Sequence, residues 1–272
     1  MYTHDRASGH LTRLTSVSSP RGPEANDGPR HVKVHPNGKI LYCVTEHCEL
    51  FNFLNLMLLW LKVLQFFSPC DIANLIDSYK ILPTSLAYIA SRSLVPRNQP
   101  DDSSSSSNTT DHFRGDTLLL PPPTPLNPTP NVLIATTRGS SSATRGWLSV
   151  FPLDSDGNFV DITQLGLGDV SEIFKGDDEA QAHHFRTPTS GGKANAIDIL
   201  PKSLSESGLW ILLTDDDDAT ASPTGVGAVR VLEWDGWMGE GIKLVAEWPS
   251  SDSSNKFEGE MIRGASHAIW LD

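Results

Sequence analysis

The chain is short of basic residues: 21 Lys and Arg stand against 33 Asp and Glu in 272 residues, a formal charge of −12. Nucleic-acid binding needs clustered cations to replace phosphate counterions, so that class of partner is excluded. Cysteine is scarce too, with Cys43, Cys48 and Cys70 in no C-x-x-C spacing and in a number that cannot fully pair. A disulfide framework and a paired-thiolate zinc site drop out, and a reducing compartment, the cytoplasm, is the simplest setting. No G-x-S-x-G elbow, P-loop or G-x-G-x-x-G after a strand occurs, which removes the serine hydrolases and the nucleotide-dependent classes. Residues 1–30 lack the apolar core of a signal peptide. The one strongly apolar run, Leu50 to Phe67, is broken by Asn52, Asn55, Lys62 and Gln65. Those breaks make 50–67 a weak membrane-span candidate, and no membrane association is expected.

Also missing is any clear helical run. What is present instead is a series of short β-branched or aromatic-rich segments separated by Gly, Asp, Ser and Pro. Val32 and Val34 alternate with polar neighbours, Pro36-Asn37-Gly38 supplies a turn, and Ile40 to Thr45 is β-prone throughout, which predicts a hairpin. Further strands are predicted over Val132–Thr137, Trp147–Leu153, Ala196–Leu200, Leu209–Thr214, Ala228–Trp234, Ile242–Trp248 and His267–Leu271. Residues 1–27 read as the remnant of a strand followed by a loop. The fold class is all-β.

Two stretches break the pattern. Residues 48–77 form an anomalous apolar block, either a genuine insertion or translated intron sequence, with the second favoured. Residues 98–130 hold five consecutive serines and then Pro121-Pro122-Pro123-Thr124-Pro125, which predicts a disordered, extended Ser/Pro-rich loop. The organisation expected is therefore a partial blade over 1–47, the anomalous block over 48–77, and further blades over 78–272.

The stretch from Gly28 to Glu46, with Arg30 ahead of His35-Pro36-Asn37-Gly38-Lys39-Ile40-Leu41-Tyr42 and Glu46 just after it, resembles the inner hairpin of a blade in fungal 3-carboxy-cis,cis-muconate cyclases. Those enzymes belong to the lactonase-type seven-bladed β-propeller family. Ser78 to Pro83, Ser190-Gly191-Gly192-Lys193-Ala194-Asn195-Ala196 and the closing Ala268-Ile269-Trp270 are similar to further family segments. At roughly 40 to 45 residues per blade the ordered sequence amounts to about four blades. The resemblance thus covers the C-terminal part of the family's ring.

By themselves, Arg138 after Val132–Thr137 and Glu46 after Ile40–Thr45 are charges closing apolar strands, and such charges are often simply solvated. The resemblance implies more: Arg30 and Arg138 face the channel and hold substrate carboxylates, and Glu46 acts as acid/base or orienting group. Arginine suits that work because its planar fork grips a carboxylate and stays charged. Asn195 is a candidate for substrate binding. The implied activity is a metal-independent, cofactor-free isomerase of aromatic catabolism, in the β-ketoadipate pathway, acting on a small polycarboxylate or its lactone. A sugar-lactone hydrolase of the 6-phosphogluconolactonase kind and an inactive propeller fragment or scaffold are the alternatives. The family's cavity lysine and histidine find no match here, which implies little activity for this chain alone. Blade equivalence predicts that Arg30, Glu46 and Arg138 converge on one wall of the channel. The oligomeric state stays open.

Overall fold

The computed structural model describes residues 1–23, 25, 27–46, 74–96, 113–125, 127–139, 144–167, 181–188, 196–203, 208–215, 228–248 and 265–271. A two-stranded hairpin, β1 (Tyr2–His4) with β2 (Leu11–Arg13), precedes three four-stranded antiparallel sheets. Sheet I is β3 (Pro29–Val34), β4 (Ile40–Thr45), β5 (Leu75–Ile81) and β6 (Leu86–Ser93). Sheet II is β7 (Phe113–Leu119), β8 (Val132–Gly139), β9 (Trp147–Pro152) and β10 (His183–Arg186). Sheet III is β11 (Ile197–Pro201), β12 (Leu209–Asp215), β13 (Ala228–Trp234) and β14 (Ile242–Trp248). Each sheet runs in simple meander order, and the first strand of sheet II touches the first strands of sheets I and III. Four-stranded meanders arrayed with their first strands together are the blades of an all-β propeller.

The cores lie between the sheets, and β8 shows why its sequence is so continuously apolar. Leu133 and Ala135 face sheet I, where they join its Ile40, Tyr42, Val44 and Ile76, together with Leu118 of their own sheet. Val132 and Ile134 face sheet III, packing with Ile197, Ile199, Ile211, Leu213 and Trp234. A strand buried on both faces loses the polar alternation of a half-exposed one.

On the other face of sheet I, Cys43, Asp77 and Ser91 lie side by side across three strands. Arg21 closes over them. It donates to Asp27 through Nε and Nη2 at 3.0 and 2.8 Å, and to Asp77 through Nη1 and Nη2 at 2.9 and 2.7 Å. Burial works against its charge, but the hydrogen bonds to Asp77 and Asp27 outweigh that and hold the guanidinium above its ordinary pKa. The same burial pushes the Cys43 thiol up to about 11. The segment before sheet I is thereby fastened to it.

The hairpin over β3 and β4 forms as expected. Gly38 takes φ +72° in its turn, Gly38 N donates to His35 O, and the Asn37 side chain accepts from Lys39 N. Several boundaries differ from expectation. Phe113–Leu119 is a strand where the Ser/Pro-rich loop was expected over 98–130, because Phe113, Gly115 and Leu118 seat against neighbouring sheets even though Arg114 and Asp116 break the apolar look of the segment. Leu75–Asp77 are already strand, inside the end of the 48–77 block, and residues 47–73 lie outside the described residues. Tyr2–His4 and Leu11–Arg13 pair where one strand remnant was expected. Leu86–Ser93 and His183–Arg186 are strands that short, polar or small-residue segments did not announce. His267–Leu271 forms no strand; it is held beside sheet III by Trp270 N donating to Asp198 Oδ2 at 2.8 Å, while Thr214 Oγ1 donates to Ser266 O. Among the described residues the ordered β structure therefore amounts to three four-stranded blades and one hairpin. No helix among them is long and apolar enough to cross a membrane, and 50–67 lies outside the described residues.

Candidate functional site

The site starts from a repeated local rule. At or near the end of the second strand of each sheet a threonine is followed by a charged residue: Thr45-Glu46, Thr137-Arg138 and Thr214-Asp215. The threonine hydroxyls are spent on the sheets. Thr45 bonds the Leu75 backbone, Thr137 accepts from Trp147 N, and Thr214 donates to Ala196 O. The next residue stands at the sheet end, beside the start of the first strand; Arg138 and Asp215 still pair across the ladder there, with Arg114 and Ala228.

A second rule concerns the first strands. The β3–β4 register slips between Pro29 and His31, and the β7–β8 register slips between Gly115 and Leu118. A bulge re-aims the side chain it carries. Arg30 sits in the first bulge and Asp116 in the second, and the two meet, Arg30 Nη2 to Asp116 Oδ1 at 2.8 Å.

Glu46 is the hub of the resulting cluster. Its backbone N donates to Gly28 O at 2.9 Å, which fixes the chain where β4 ends. Arg138 Nη2 donates to Glu46 Oε1 at 2.9 Å, Arg30 Nη1 lies 3.4 Å from Oε2, and Arg114 Nη1 lies 3.8 Å from Oε1. Side-chain exposure rises from Asp116 at 4% through Arg138 at 13%, Glu46 at 18% and Arg30 at 30% to Arg114 at 45%. Three arginines and two carboxylates give the cluster a formal charge of +1 in a chain of formal charge −12. A small polyanion is thus offered one local cationic patch against an unfavourable overall field.

What brings the two sheets close enough is Gly115. A Cβ on it would stand 2.2 Å from Thr45 O and 2.9 Å from Val44 Cγ2. Only a bare Cα lets β7 seat against the end of β4, one residue from Glu46.

The structure therefore brings Arg30, Glu46 and Arg138 together, as blade equivalence predicts. Asn195 lies outside the described residues. Arg114 and Asp116 are cluster members that the sequence reading did not single out; the available signal was Arg-Gly-Asp at the start of an alternating segment. His183 and His184 face opposite ways. His184 Nδ1 meets Ser149 Oγ at 2.8 Å on the sheet I side, and Trp234 Nε1 donates to His183 Nδ1 at 3.1 Å on the sheet III side. Burial lowers the His183 pKa, with the Asp235 charge pulling the other way. Asp215, the only described member of its aspartate run, pairs with Arg230 at 3.5 Å. Among the described residues no group of three or more His, Cys, Asp or Glu side chains is placed to hold a metal ion.

A shallow cleft opens between sheets II and III at the opposite end of the strands. Pro121, Pro130, Pro201 and Trp234 are among the residues that line it, and the charged cluster takes no part in it.

Residues 1–65 match the family described as "Lactonase, 7-bladed beta-propeller". A protein of Cutaneotrichosporon cutaneum named muconate cycloisomerase 1 is 27% identical over 271 residues, covering 100% of this chain and 52% of its own length. The chain thus spans about half the length of that relative. Among solved structures, the periplasmic gluconolactonase of Pseudomonas aeruginosa is similar with a TM-score of 0.44 and 12% identity, over 81% of this chain and 39% of that one. A Bacteroides fragilis structure provisionally described as a 6-phosphogluconolactonase gives a TM-score of 0.46 and 12% identity, over 90% of this chain and 46% of that one.

Proposed function

We propose that this chain carries the arginine-lined wall of a carboxymuconate cyclase-type isomerase, one that interconverts 3-carboxy-cis,cis-muconate and its lactone in the cytoplasm. The observation that supports it is the convergence of Arg30 and Arg138, from different sheets, on the single carboxylate of Glu46. The likeness to a protein named muconate cycloisomerase 1 points to the same reaction class.

In this chemistry one substrate carboxylate adds across a carbon–carbon double bond, and the neighbouring carbon takes a proton; no atom is lost. The site must neutralise several carboxylates and handle one proton. Arg30 and Arg138 answer the first need, since each already grips a carboxylate in the free protein and exchanges it for one on the substrate. Glu46 answers the second. When the guanidiniums turn to the substrate, Glu46 loses cationic neighbours, and a carboxylate so released takes up a proton more readily. It then stands within reach of the carbon that the arginines have positioned. Asp116, keeping its hold on Arg30, orients that guanidinium. In the reverse direction Glu46 removes the same proton and the ring opens.

The test measures binding and turnover separately on the 272-residue chain. Calorimetric titration with the muconate reads binding, and loss of the conjugated diene absorbance reads turnover. Arg138→Ala should weaken binding well beyond any effect of Arg6→Ala, an exposed control. Glu46→Gln should spare binding and lower the small turnover expected of this chain about 10²- to 10⁴-fold, the usual loss of a proton-transfer group. Equal effects of the two arginine changes, or hydrolysis of a sugar lactone with the muconate untouched, would refute the reading.

A further inference from the structure

From the placement of Arg114 we infer that it is a specificity residue, which selects ligands carrying one carboxylate more than Arg30 and Arg138 can hold; this rests on the anion-binding reading of the cluster. Three observations carry it. Arg114 lies directly opposite Arg138 in the β7–β8 register, so two like charges share one side of the ladder. Like charges so placed disfavour the sheet, and packing does not require the arginine, since its side chain is 45% exposed. Glu46 is the natural mediator between the pair, yet it hydrogen-bonds Arg138 at 2.9 Å and stands 3.8 Å from Arg114. Asp116, two residues along the same strand, is turned to Arg30 instead.

Arg114 is therefore the cluster's least compensated cation and its most open one. It stands on a first strand, beside the common centre of the sheets, where an incoming anion arrives before reaching the more enclosed Arg138. A dicarboxylate is satisfied by Arg30 and Arg138 alone. A third carboxylate on the same small molecule needs a third fork, and Arg114 supplies it without breaking the contacts of the other two.

The experiment is calorimetric titration of the full chain with tricarballylate and with glutarate, stable tri- and dicarboxylates, for the unchanged protein, Arg114→Gln and Arg114→Lys. The unchanged protein should prefer tricarballylate. Arg114→Gln should cost about tenfold or more in tricarballylate affinity, the worth of a hydrogen bond to a charged group, and leave glutarate within about twofold. Arg114→Lys, which keeps the charge and loses the fork, should fall between. Equal losses for both ligands in Arg114→Gln, or none for either, overturn the assignment. If the preference for three carboxylates is present and Arg114→Gln removes it while no muconate turns over, Arg114 keeps its role and the isomerase reading falls. Failure of the unchanged protein to bind either acid overturns both.

Discussion

Replacing Gly115 by alanine adds one methyl group at the seam between sheets I and II. That methyl carbon would stand 2.2 Å from Thr45 O and 2.9 Å from Val44 Cγ2. The first contact is with backbone in a paired strand, so no side-chain rotation relieves it. Relief to ordinary contact requires the start of β7 to retreat by about 1 Å. Overpacking of this kind costs about 1–3 kcal/mol, and the lost flexibility of the unfolded glycine returns about 0.4–1 kcal/mol, which leaves a net loss of about 1–2 kcal/mol. For a chain of this size that lowers the melting temperature by about 2–8 °C. The site suffers with the seam, because Arg114 and Asp116 flank Gly115 and move with it. A shift of about 1 Å takes the Arg30–Asp116 contact, now 2.8 Å, beyond hydrogen-bond reach. Differential scanning calorimetry and titration with tricarballylate read the two effects, both of which should appear. Truncating the side-chain neighbour, as in Gly115→Ala with Val44→Ala, should not restore either. An alanine variant with an unchanged melting temperature and unchanged anion affinity would refute the account of how the sheets are seated.

Two further outcomes follow from groups outside the cluster. His183 is buried with a lowered pKa and accepts from Trp234 Nε1, so the folded state favours neutral imidazole; the stability this gives is full above the unfolded value near 6.5 and is lost as pH falls below it toward the folded value, and His183→Gln should flatten that part of the melting-temperature profile between about pH 7 and pH 5. Arg21→Met should cost about 3–5 kcal/mol in urea denaturation, because it strands Asp27 and Asp77, 7% and 1% exposed, without their shared cation.

The sequence was most transparent where a strand is rich in β-branched and aromatic residues or is closed by strong turn chemistry. Ala228–Trp234 and Ile242–Trp248 have the limits read from their β-branched and aromatic content, and the hairpin before Glu46 follows from Asn37-Gly38. It was opaque where charge sits inside a strand. Phe113–Leu119 carries Arg114 and Asp116 because its first half lies in the cluster, so it looked like the end of the low-complexity loop. The meeting of Arg30, Glu46 and Arg138 followed from the equivalence of sheet positions. The Arg30–Asp116 contact did not, since it depends on two register slips that no residue pattern marks.

The threonine near the end of the second strand of each sheet has a consequence for how such a molecule can diverge. Thr45, Thr137 and Thr214 tie the ladder, and the residue after each is exempt from packing duties in the cores between sheets. Glutamate, arginine and aspartate occupy those three places here. Sheets I and II therefore each offer one part-exposed letter that can be rewritten in charge without refilling the cores, whereas in sheet III the letter is locked, since Asp215, 2% exposed, answers the buried Arg230; a change of ligand charge is open to the first two places and closed at the third.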